Sequence, residues 1–289
     1  MRRPSNDTIS WGKYTFSIKQ RTHIMGILNV TPDSFSDGGI YYKPEAAIRR
    51  GIELEKEGAD IIDIGAESTR PGAEPVSTQE ELRRLRPIIE GLREAVSIPL
   101  SIDTYKAEVA EKAINWGATI INDISGLRFD PDMKYVVASY SVPIVLMHIK
   151  GVPRNMQIDP KYDDLFEDVI AYLQKSISIA KDGGIRDDLM IIDPGIGFGK
   201  SIDDNYRIIR HLAKFKVLGK PILIGPSRKS FIGKALKLET GQRFEGTAAV
   251  VALSIANGAD IVRVHDVERI KRVCVISDLV AGKTFINNK

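Results

Sequence analysis

The sequence predicts an α/β fold, a (β/α)8 or TIM barrel, on the strength of three observations. Eight short apolar runs recur along the 289 residues, and the segments between them carry apolar residues at helical spacing. The runs are continuous in Ile, Val and Leu, as a parallel sheet covered on both faces requires. Strand and helix repeated eight times therefore favour a barrel, and a doubly wound open sheet is the alternative.

The eight runs define the strands, and each closes on a polar residue. They are HIMGILNV (23–30), DIIDIGAE (60–67), IPLSIDT (98–104), ATIINDI (118–124), PIVLMH (143–148), LMIIDPG (189–195), PILIGPS (221–227) and ADIVRVHD (259–266). Because the parallel strands of a barrel end at the same face, this pattern delivers polar side chains to one mouth. These are Asn29, Glu67, Asp103, Asn122, His148, Asp193, Ser227 and His265.

The segments between the strands supply the helices. Helical periodicity spans 44–58, 78–95, 105–116, 163–181 and 246–257, and a glycine follows several of these stretches before the next strand. Residues 1–22 form an N-terminal extension, whose alternating stretch Tyr14–Ile18 predicts a short hairpin that closes the amino-terminal mouth. We expect residues 23–289 to form a single domain, because this length is close to the roughly 250 residues of a typical barrel.

The composition argues against nucleic-acid and membrane partners. The 41 basic residues are scattered among 38 acidic ones, which gives a net charge of +3 without a basic block. No run approaches the roughly 18 apolar residues of a membrane span, and Arg2 and Arg3 are not followed by the apolar stretch of a secretory signal. The one cysteine, Cys274, excludes an internal disulfide and fits a reducing compartment, so we expect a cytoplasmic protein.

The first two loops that follow strands are unusual in composition. Residues 29–39 combine acids, hydroxyls and a glycine pair, which is poor for a core and typical of a mobile functional loop. Residues 67–75 place one guanidinium, that of Arg70, among turn-forming residues. Plain turns would explain either loop alone, but two such loops on the same face favour a substrate site.

Three of the polar strand ends suit one kind of ligand. Asp103, Asn122 and Asp193 close the third, fourth and sixth strands, and buried Asp and Asn are costly unless they are paired. A heterocycle with an aminopyrimidinone edge offers an N–H, an amino group and a carbonyl that would satisfy them together. The alternative is that Asp103 caps the following helix.

Cationic residues gather after the seventh and eighth strands, where barrels commonly bind phosphate. Arg228 and Lys229 follow strand seven, and alternation places Arg263 and His265 on the same side of strand eight. This pattern predicts a diphosphate site, which a mildly basic molecule also suits. A structural role for His265 is the alternative, and the sequence leaves the role of His148 open.

Seven motifs in order resemble the dihydropteroate synthase family, folate-pathway enzymes inhibited by sulfonamides. They are GILNVTPDSFSDGG (26–39), STRPG (68–72), SIDTY (101–105), NDI (122–124), DPGIGFGK (193–200), SRKS (227–230) and RVHDV (263–267). The resemblance covers nearly the whole chain. It implies condensation of (7,8-dihydropterin-6-yl)methyl diphosphate with 4-aminobenzoate in an SN1-like displacement, which gives 7,8-dihydropteroate and diphosphate.

The resemblance also implies roles for individual residues. The pterin would contact Asp103, Asn122, Asp193, Lys229, Met147, Phe198 and Arg263, and the diphosphate would contact Asn29, Arg70, Arg263 and His265. The 4-aminobenzoate pocket would comprise Phe35, Thr69, Pro71, Lys229 and Ser230, and the catalytic residues would be Asp37, Lys229, Asn29 and Arg70. Asn29 would contact a Mg²⁺ cofactor, Asp37 would stabilise the developing carbocation, and the family implies a homodimer.

Two alternatives with different functions remain open. Pterin-binding methyltransferases that serve a corrinoid share the barrel and the three polar pterin contacts. They give no reason for Arg263 beside His265, because no diphosphate leaves in their reaction. A non-catalytic pterin-binding relative would be expected to lose the loop acids or Lys229, and the sequence keeps both.

Overall fold

A computed structural model describes residues 8–31, 44–69 and 72–283 of the chain. It begins with an antiparallel hairpin of β1 (Thr8–Trp11) and β2 (Tyr14–Ser17). Eight parallel strands follow: β3 (His23–Asn29), β4 (Ile61–Gly65), β5 (Leu100–Asp103), β6 (Ile120–Asp123), β7 (Ile144–Met147), β8 (Met190–Asp193), β9 (Leu223–Ile224) and β10 (Ile261–Val264). The α-helices are α1 (Pro44–Glu57), α2 (Thr78–Ala95), α3 (Ala107–Trp116), α4 (Met133–Tyr140), α5 (Leu165–Asp182), α6 (Ile202–Arg210), α7 (Ser230–Leu236), α8 (Phe244–Ala256) and α9 (Val267–Val280).

The eight parallel strands form one sheet that curves into the predicted barrel. The strand order is β8-β7-β6-β5-β4-β3-β10-β9. The two edge strands, β8 and β9, meet at an isolated parallel bridge between Ile192 and Ile222, where the Ile192 amide donates to the Pro221 carbonyl at 2.9 Å. We call this junction the seam. The barrel prediction is confirmed, and the open sheet is excluded.

The region after the seventh barrel strand differs from the sequence prediction. The run at 221–227 predicts a longer strand than β9, which is two residues long. Pro221 and Pro226 flank it, and proline lacks the amide N–H that a strand ladder requires. The short helix α7 then begins at Ser230 and precedes α8, so this βα unit carries an additional helix.

The main core lies between the sheet and the surrounding helices. Helix α2 is an example of a helix whose start is set by its sequence. The Ser77 hydroxyl accepts a hydrogen bond from the Glu80 amide at 3.3 Å and so caps the first turn. Leu85, Ile88 and Leu92 form its buried stripe, and burial of each such side chain contributes ~1.5–3 kcal/mol. Among the described residues, no helix combines the length and the apolar character that a bilayer span requires.

The predicted hairpin is present and closes the amino-terminal mouth of the barrel. The Trp11 and Phe16 rings meet edge to face with centroids 5.1 Å apart, and Phe16 stacks on His23 at 4.4 Å. We call Ile9, Trp11, Phe16 and Ile18 the amino-terminal plug. The plug forms one buried apolar cluster with Met25, Ile61, Ile120, Val145, Leu189, Ile191, Leu223 and Ile261 from the barrel wall.

Candidate active site

The register of the sheet aligns polar side chains at the carboxyl-terminal mouth. Asp103 stands opposite Asn122 in the β5–β6 pair, and Met147 stands opposite Asp193 in the β7–β8 pair. Asp103, Asn122 and Asp193 are 9%, 4% and 5% exposed, so all three polar groups are buried. Lys106 occupies the N-cap position of α3, and the Ala107 amide donates to Asp130, so Asp103 does not cap this helix.

A fourth buried polar residue at this mouth, Asp63 on β4, escaped the sequence prediction. Its Oδ2 accepts hydrogen bonds from Asn122 Nδ2 at 3.1 Å and from Arg263 Nε at 2.6 Å. The sequence did carry a signal, because Asp63 alternates with Ile62 and Ile64 two residues before the end of β4. Alternation of this kind points a side chain into the barrel when its neighbours face the helices.

Arg263 on β10 joins two of these carboxylates. Its Nη2 donates to Asp103 Oδ2 at 2.7 Å while its Nε donates to Asp63. Burial opposes the charge of the guanidinium, but the carboxylates of Asp63 and Asp103 outweigh it and raise the pKa of Arg263. A permanently charged guanidinium therefore lies across the interior of the mouth.

A tight glycine loop after β8 fixes the carboxylate of Asp193. Gly195 has a φ of +73°, and a Cβ at this position would lie 1.9 Å from the His148 carbonyl oxygen, so only glycine fits. The Gly195 amide donates to Asp193 Oδ1 at 2.7 Å. This contact orients a buried acceptor before any ligand arrives.

A buried amine supports the same loop. Lys200 is 2% exposed. Its Nζ lies 2.9 Å from His148 Nδ1 and donates to the Phe198 carbonyl at 3.1 Å. Burial lowers the pKa of Lys200 to about 7 and lowers the pKa of His148 far below its ordinary value. His148 therefore acts as support for the loop that carries Phe198, a role that the sequence left open.

An apolar wall lies beside the carboxylates. Met147 and Phe198 belong to one buried cluster at this mouth together with Ile124, Ile149 and Met156. Lys229 Nζ lies 4.2 Å from the centre of the Phe198 ring, which is a cation–π contact. Apolar surface with a few convergent polar groups is the usual lining of a site for a flat heterocycle.

Only some of the cationic residues predicted after strands seven and eight can offer a positive charge to a ligand. Ser227 Oγ lies 2.9 Å from His265 Nδ1, and burial, with Arg228 and Arg263 nearby, lowers the pKa of His265 to about 3. The imidazole is therefore neutral at neutral pH. Arg228 pairs with Asp266 at 2.7 Å, and this pair ties the segment after β9 to the segment after β10.

Burial also sets the protonation of the mouth. It raises the pKa of Asp103 to about 7 and that of Asp193 to about 6, while it lowers the pKa of Lys229 to about 8. The nearby cations oppose the shifts of both carboxyl groups. These groups titrate close to neutral pH, which is typical of a functional site.

The remaining predicted residues lie at the edge of the mouth or outside the described residues. Asp103 Oδ2 and Asn29 Oδ1 flank Gly65. A Cβ added to this glycine would lie 3.7 Å from the Asp103 oxygen and 3.8 Å from the Asn29 oxygen. Thr69 is half-buried, and Ser230 is exposed at the start of α7. Phe35, Asp37, Arg70 and Pro71 lie outside the described residues.

Few of the described residues at this mouth could ligate a metal. Within residues 8–31, 44–69 and 72–283, no group of three or more His, Cys, Asp or Glu side chains could hold a metal ion. Asn29 Oδ1 offers one neutral oxygen at the end of β3. Such a site would need further oxygens from a bound substrate.

Comparisons with known proteins agree with this geometry. The sequence profile of the pterin binding enzyme family matches residues 25–265. The dihydropteroate synthase of Clostridium beijerinckii is 49% identical over 273 residues, which are 94% of this chain and 99% of that protein. The Yersinia pestis dihydropteroate synthase with a sulfonamide drug has a TM-score of 0.89 and 39% identity, covering 95% of this chain and 99% of that one. The Xanthomonas albilineans dihydropteroate synthase with 4-aminobenzoic acid has a TM-score of 0.88 and 42% identity, covering 95% and 98%.

Proposed function

The chain belongs to the pterin-binding enzyme family and, within it, to the dihydropteroate synthases of folate synthesis, and we propose that its carboxyl-terminal mouth performs the condensation. The substrates are (7,8-dihydropterin-6-yl)methyl diphosphate and 4-aminobenzoate, and the products are 7,8-dihydropteroate and diphosphate. One observation carries the proposal. The buried acceptors Asp103, Asn122 and Asp193 lie beside the charged Arg263 at one mouth. Ring donors and an anionic leaving group would both find partners there.

The pterin ring occupies the interior of the mouth. One N–H of the Asn122 side-chain amide donates to Asp63, which fixes the orientation of the amide, and its carbonyl oxygen accepts from a ring amino group. Each hydrogen bond to a charged partner contributes about 1.5–3 kcal/mol, so the carboxylates both bind and orient the ring. Asp103, Asn122, Asp193 and Lys229 make the polar contacts, Met147 and Phe198 form the apolar wall, and Arg263 lies against the ring plane.

The diphosphate lies between Arg263, His265 and Asn29, with Arg70 as a fourth contact. Ser227 Oγ accepts from the His265 amide at 3.2 Å, so its own hydrogen is free to meet His265 Nδ1. The neutral imidazole then carries its proton on Nε2 and donates it to a phosphate oxygen. His265 therefore contributes a hydrogen bond, and Arg263 contributes the charge.

Mg²⁺ fits this part of the site. Asn29 Oδ1 is a hard oxygen ligand on β3, and only Gly65 of β4 stands between Asn29 and Asp103 in the sheet. Magnesium is commonly held by one or two protein oxygens together with substrate phosphates, so one asparagine oxygen can contribute to such a site. When bound, Mg²⁺ would neutralise charge on the departing diphosphate.

The reaction breaks a carbon–oxygen bond and forms a carbon–nitrogen bond. The diphosphate leaves the exocyclic methylene in an SN1-like step, so positive charge develops on that carbon while Arg263 and His265 stabilise the anion. Asp37 on the first loop stabilises the carbocation. The aniline nitrogen, which is unprotonated at neutral pH, then attacks the methylene. The arylammonium that forms is acidic enough to release its proton to water, so no strong general base is needed.

The 4-aminobenzoate pocket lies at the edge of the mouth. Thr69 on the segment after β4 and Ser230 at the start of α7 border it, and Lys229 stands between this pocket and the pterin. An ammonium in that position suits the negative carboxylate of the substrate. The family resemblance adds Phe35 and Pro71 to this pocket.

One assay tests the proposed reaction. The purified protein is incubated with the pterin diphosphate, 4-aminobenzoate and Mg²⁺, and dihydropteroate and diphosphate are quantified. Equal amounts of both products, with inhibition by a sulfonamide, support the proposal. Tight pterin binding without product would overturn it and favour a methyltransferase or a non-catalytic relative.

A homodimer is part of the proposal, and helices α8 and α9 supply its interface. Helix α8 is apolar on nearly every side, and Leu253 on it is 57% exposed. On α9, Ile276, Leu279 and Val280 are 62%, 53% and 81% exposed at helical spacing. A helix that is apolar all round is normally covered on every side, and a second copy of the chain would cover this one.

The oligomeric state tests this interface. Ile276→Glu is expected to convert the dimer to a monomer in light scattering after gel filtration, because it buries a charge in an apolar contact. Tyr135→Glu, which changes a residue 56% exposed on α4, is the matched control and should leave the mass unchanged. A wild-type protein of monomer mass would refute the dimer.

The proposed compartment is the cytoplasm, with small molecules as the only substrates. The single cysteine, Cys274, is a free and buried thiol, which suits a reducing environment. Cell fractionation with an antibody against the protein checks the compartment.

A further inference from the structure

A buried charge cluster lies beneath the segment that joins β4 to α2, and none of its members has a role above. The side chain of Lys106 is 16% exposed, and its Nζ lies 2.5 Å from Glu67 Oε2 and 2.6 Å from Glu81 Oε2. The same Nζ donates to the Val76 carbonyl at 2.6 Å. One ammonium therefore contacts both the beginning and the end of the β4–α2 segment.

Glu67 is held from a second direction as well. The Tyr105 hydroxyl donates to Glu67 Oε1 at 2.8 Å, and Arg84 Nη1 donates to the carbonyl of Ala66 at 2.8 Å. The sequence places Glu67 among the polar residues of the mouth, but both of its carboxylate oxygens are engaged within this cluster. The backbone two residues before Thr69 is consequently fixed from α2 and from the start of α3.

The cluster is costly in electrostatic terms. Glu81 is fully buried, and burial raises its pKa against the opposing effect of Lys106. Burial disfavours the Lys106 charge too, but Glu67 and Glu81 outweigh it and raise the pKa of Lys106. Buried ion clusters are weak sources of stability, because desolvation offsets most of the attraction. A cluster of this cost is better explained by the geometry that it imposes.

We propose that Lys106 is a positioning residue for 4-aminobenzoate. It acts through Glu67, whose carboxylate it holds, to keep Thr69 in place at the edge of the aminobenzoate pocket. The proposal rests on the proposed function, because that function assigns Thr69 to this pocket. The hydrogen-bond partners of the pterin contacts, Arg263, Asp63 and Gly195, lie outside this cluster, so loss of Lys106 should affect the second substrate more than the pterin.

Lys106→Met tests the proposal with Lys220→Met as the matched control. Lys220 is also a buried lysine, with 3% of its side chain exposed, and its Nζ lies 2.6 Å from both the carbonyl and the carboxylate of Asp187. It precedes β9 at the amino-terminal end of the barrel. Both variants remove a buried ammonium together with its ion pairing, but only Lys106→Met does so beside the pocket.

The measured quantities are the KM for each substrate and the dissociation constant of the free pterin. Lys106→Met is expected to raise the KM for 4-aminobenzoate about tenfold or more, since small displacements of positioning groups have large effects. Its pterin dissociation constant should stay within about twofold of the wild-type value. Lys220→Met should leave all these constants unchanged, and Lys106→Arg should restore part of the loss.

A second variant covers the case in which Lys106→Met fails to fold. Lys106→Met combined with Glu81→Gln removes one charge of each sign and leaves no unpaired buried carboxylate on α2. It should fold and show the same selective rise in KM for 4-aminobenzoate.

Two outcomes separate this inference from the proposed function. If the wild-type protein forms no dihydropteroate, the proposed function fails. If the wild type turns over and the Lys106 variants show wild-type KM values, or weaken both substrates equally, then Lys106 has only a structural role.

Discussion

The two mouths of the barrel are filled by opposite chemistry. At the amino-terminal mouth, Trp11 and Phe16 of the plug pack on apolar wall residues, and His23 beneath them has its pKa lowered to about 4 by burial. At the carboxyl-terminal mouth, Asp63 and Asp103 share the guanidinium of Arg263. The same eight strands thus end in a core on one side and in a charged site on the other.

The difference shows where this molecule gains stability and where it gives stability up. Apolar burial at the plug favours folding directly. Burial of Asp193 works in the other direction, because its pKa is raised to about 6 and the folded state disfavours the ionised carboxylate. The stabilising contribution of Asp193 is therefore lost as pH rises from its pKa in the unfolded state through its pKa in the folded state. Removal of a plug residue should therefore lower stability, and removal of a polar residue at the carboxyl-terminal mouth should lower ligand affinity.

Asp193→Ala should have the largest effect on ligand binding. The ring donors would lose a charged partner, and two bonds of about 1.5–3 kcal/mol each correspond to a loss of more than about 100-fold in pterin affinity. Calorimetric titration with a pterin gives the dissociation constant, and urea unfolding at pH 8 should show no loss of stability. Wild-type affinity in this variant would refute the pocket.

Trp11→Ala should have the largest effect on stability. Truncation of a buried tryptophan costs ~3–5 kcal/mol of unfolding free energy, whereas both KM values should stay unchanged because the plug lies at the other mouth. Urea unfolding and steady-state kinetics measure the two effects. Tyr135→Ala, at an exposed position, is the control for truncation of an aromatic side chain. A changed KM with normal stability would contradict the division between the mouths.

Arg263→Ala should weaken binding of the diphosphate half of the pterin substrate. Loss of the guanidinium removes a charged partner of the diphosphate, so affinity for the pterin diphosphate should fall on the order of 100-fold, and affinity for a free pterin should fall much less. Competition binding with both ligands measures the ratio. Equal losses would show that Arg263 does not distinguish the diphosphate from the ring.

The pH dependence of pterin affinity should be the smallest of these effects. Ring donors require ionised acceptors, so affinity should fall several-fold as pH drops below the pKa values of Asp103 and Asp193, which are about 7 and about 6. Activity should also decline above the pKa of Lys229, which is about 8. A bell-shaped profile is expected, and Asp193→Asn should leave only the acidic decline that follows Asp103. A flat profile for the wild type would exclude these groups.

Sequence was sufficient for the barrel because each strand leaves a continuous apolar run. Every barrel strand lies within one of the eight predicted runs, and the hairpin follows from alternation at Tyr14–Ile18. The short β9 shows the limit of this reasoning, since the run at 221–227 looks like a full strand until the two prolines are considered.

The site was harder to predict because its positions depend on distant residues. Asp103 and Asn122 could be found at strand ends, but Asp63 lies inside a strand and its partner Arg263 is 200 residues away. The contact between Lys200 and His148 also joins separate strands across a glycine loop. Alternation can place such residues inside the barrel, but only three-dimensional structure shows which of them meet.

At the seam, the edge strands β8 and β9 are joined by an isolated bridge, so the barrel wall is weakest there. Asp193 ends β8 on one side of the seam, and Lys229 follows β9 on the other side. A pterin held by both residues would bridge the gap, so the amide hydrogen of Ile192, which crosses the seam, should exchange more slowly with deuterium in the complex. In this enzyme the substrate would complete the wall that encloses it.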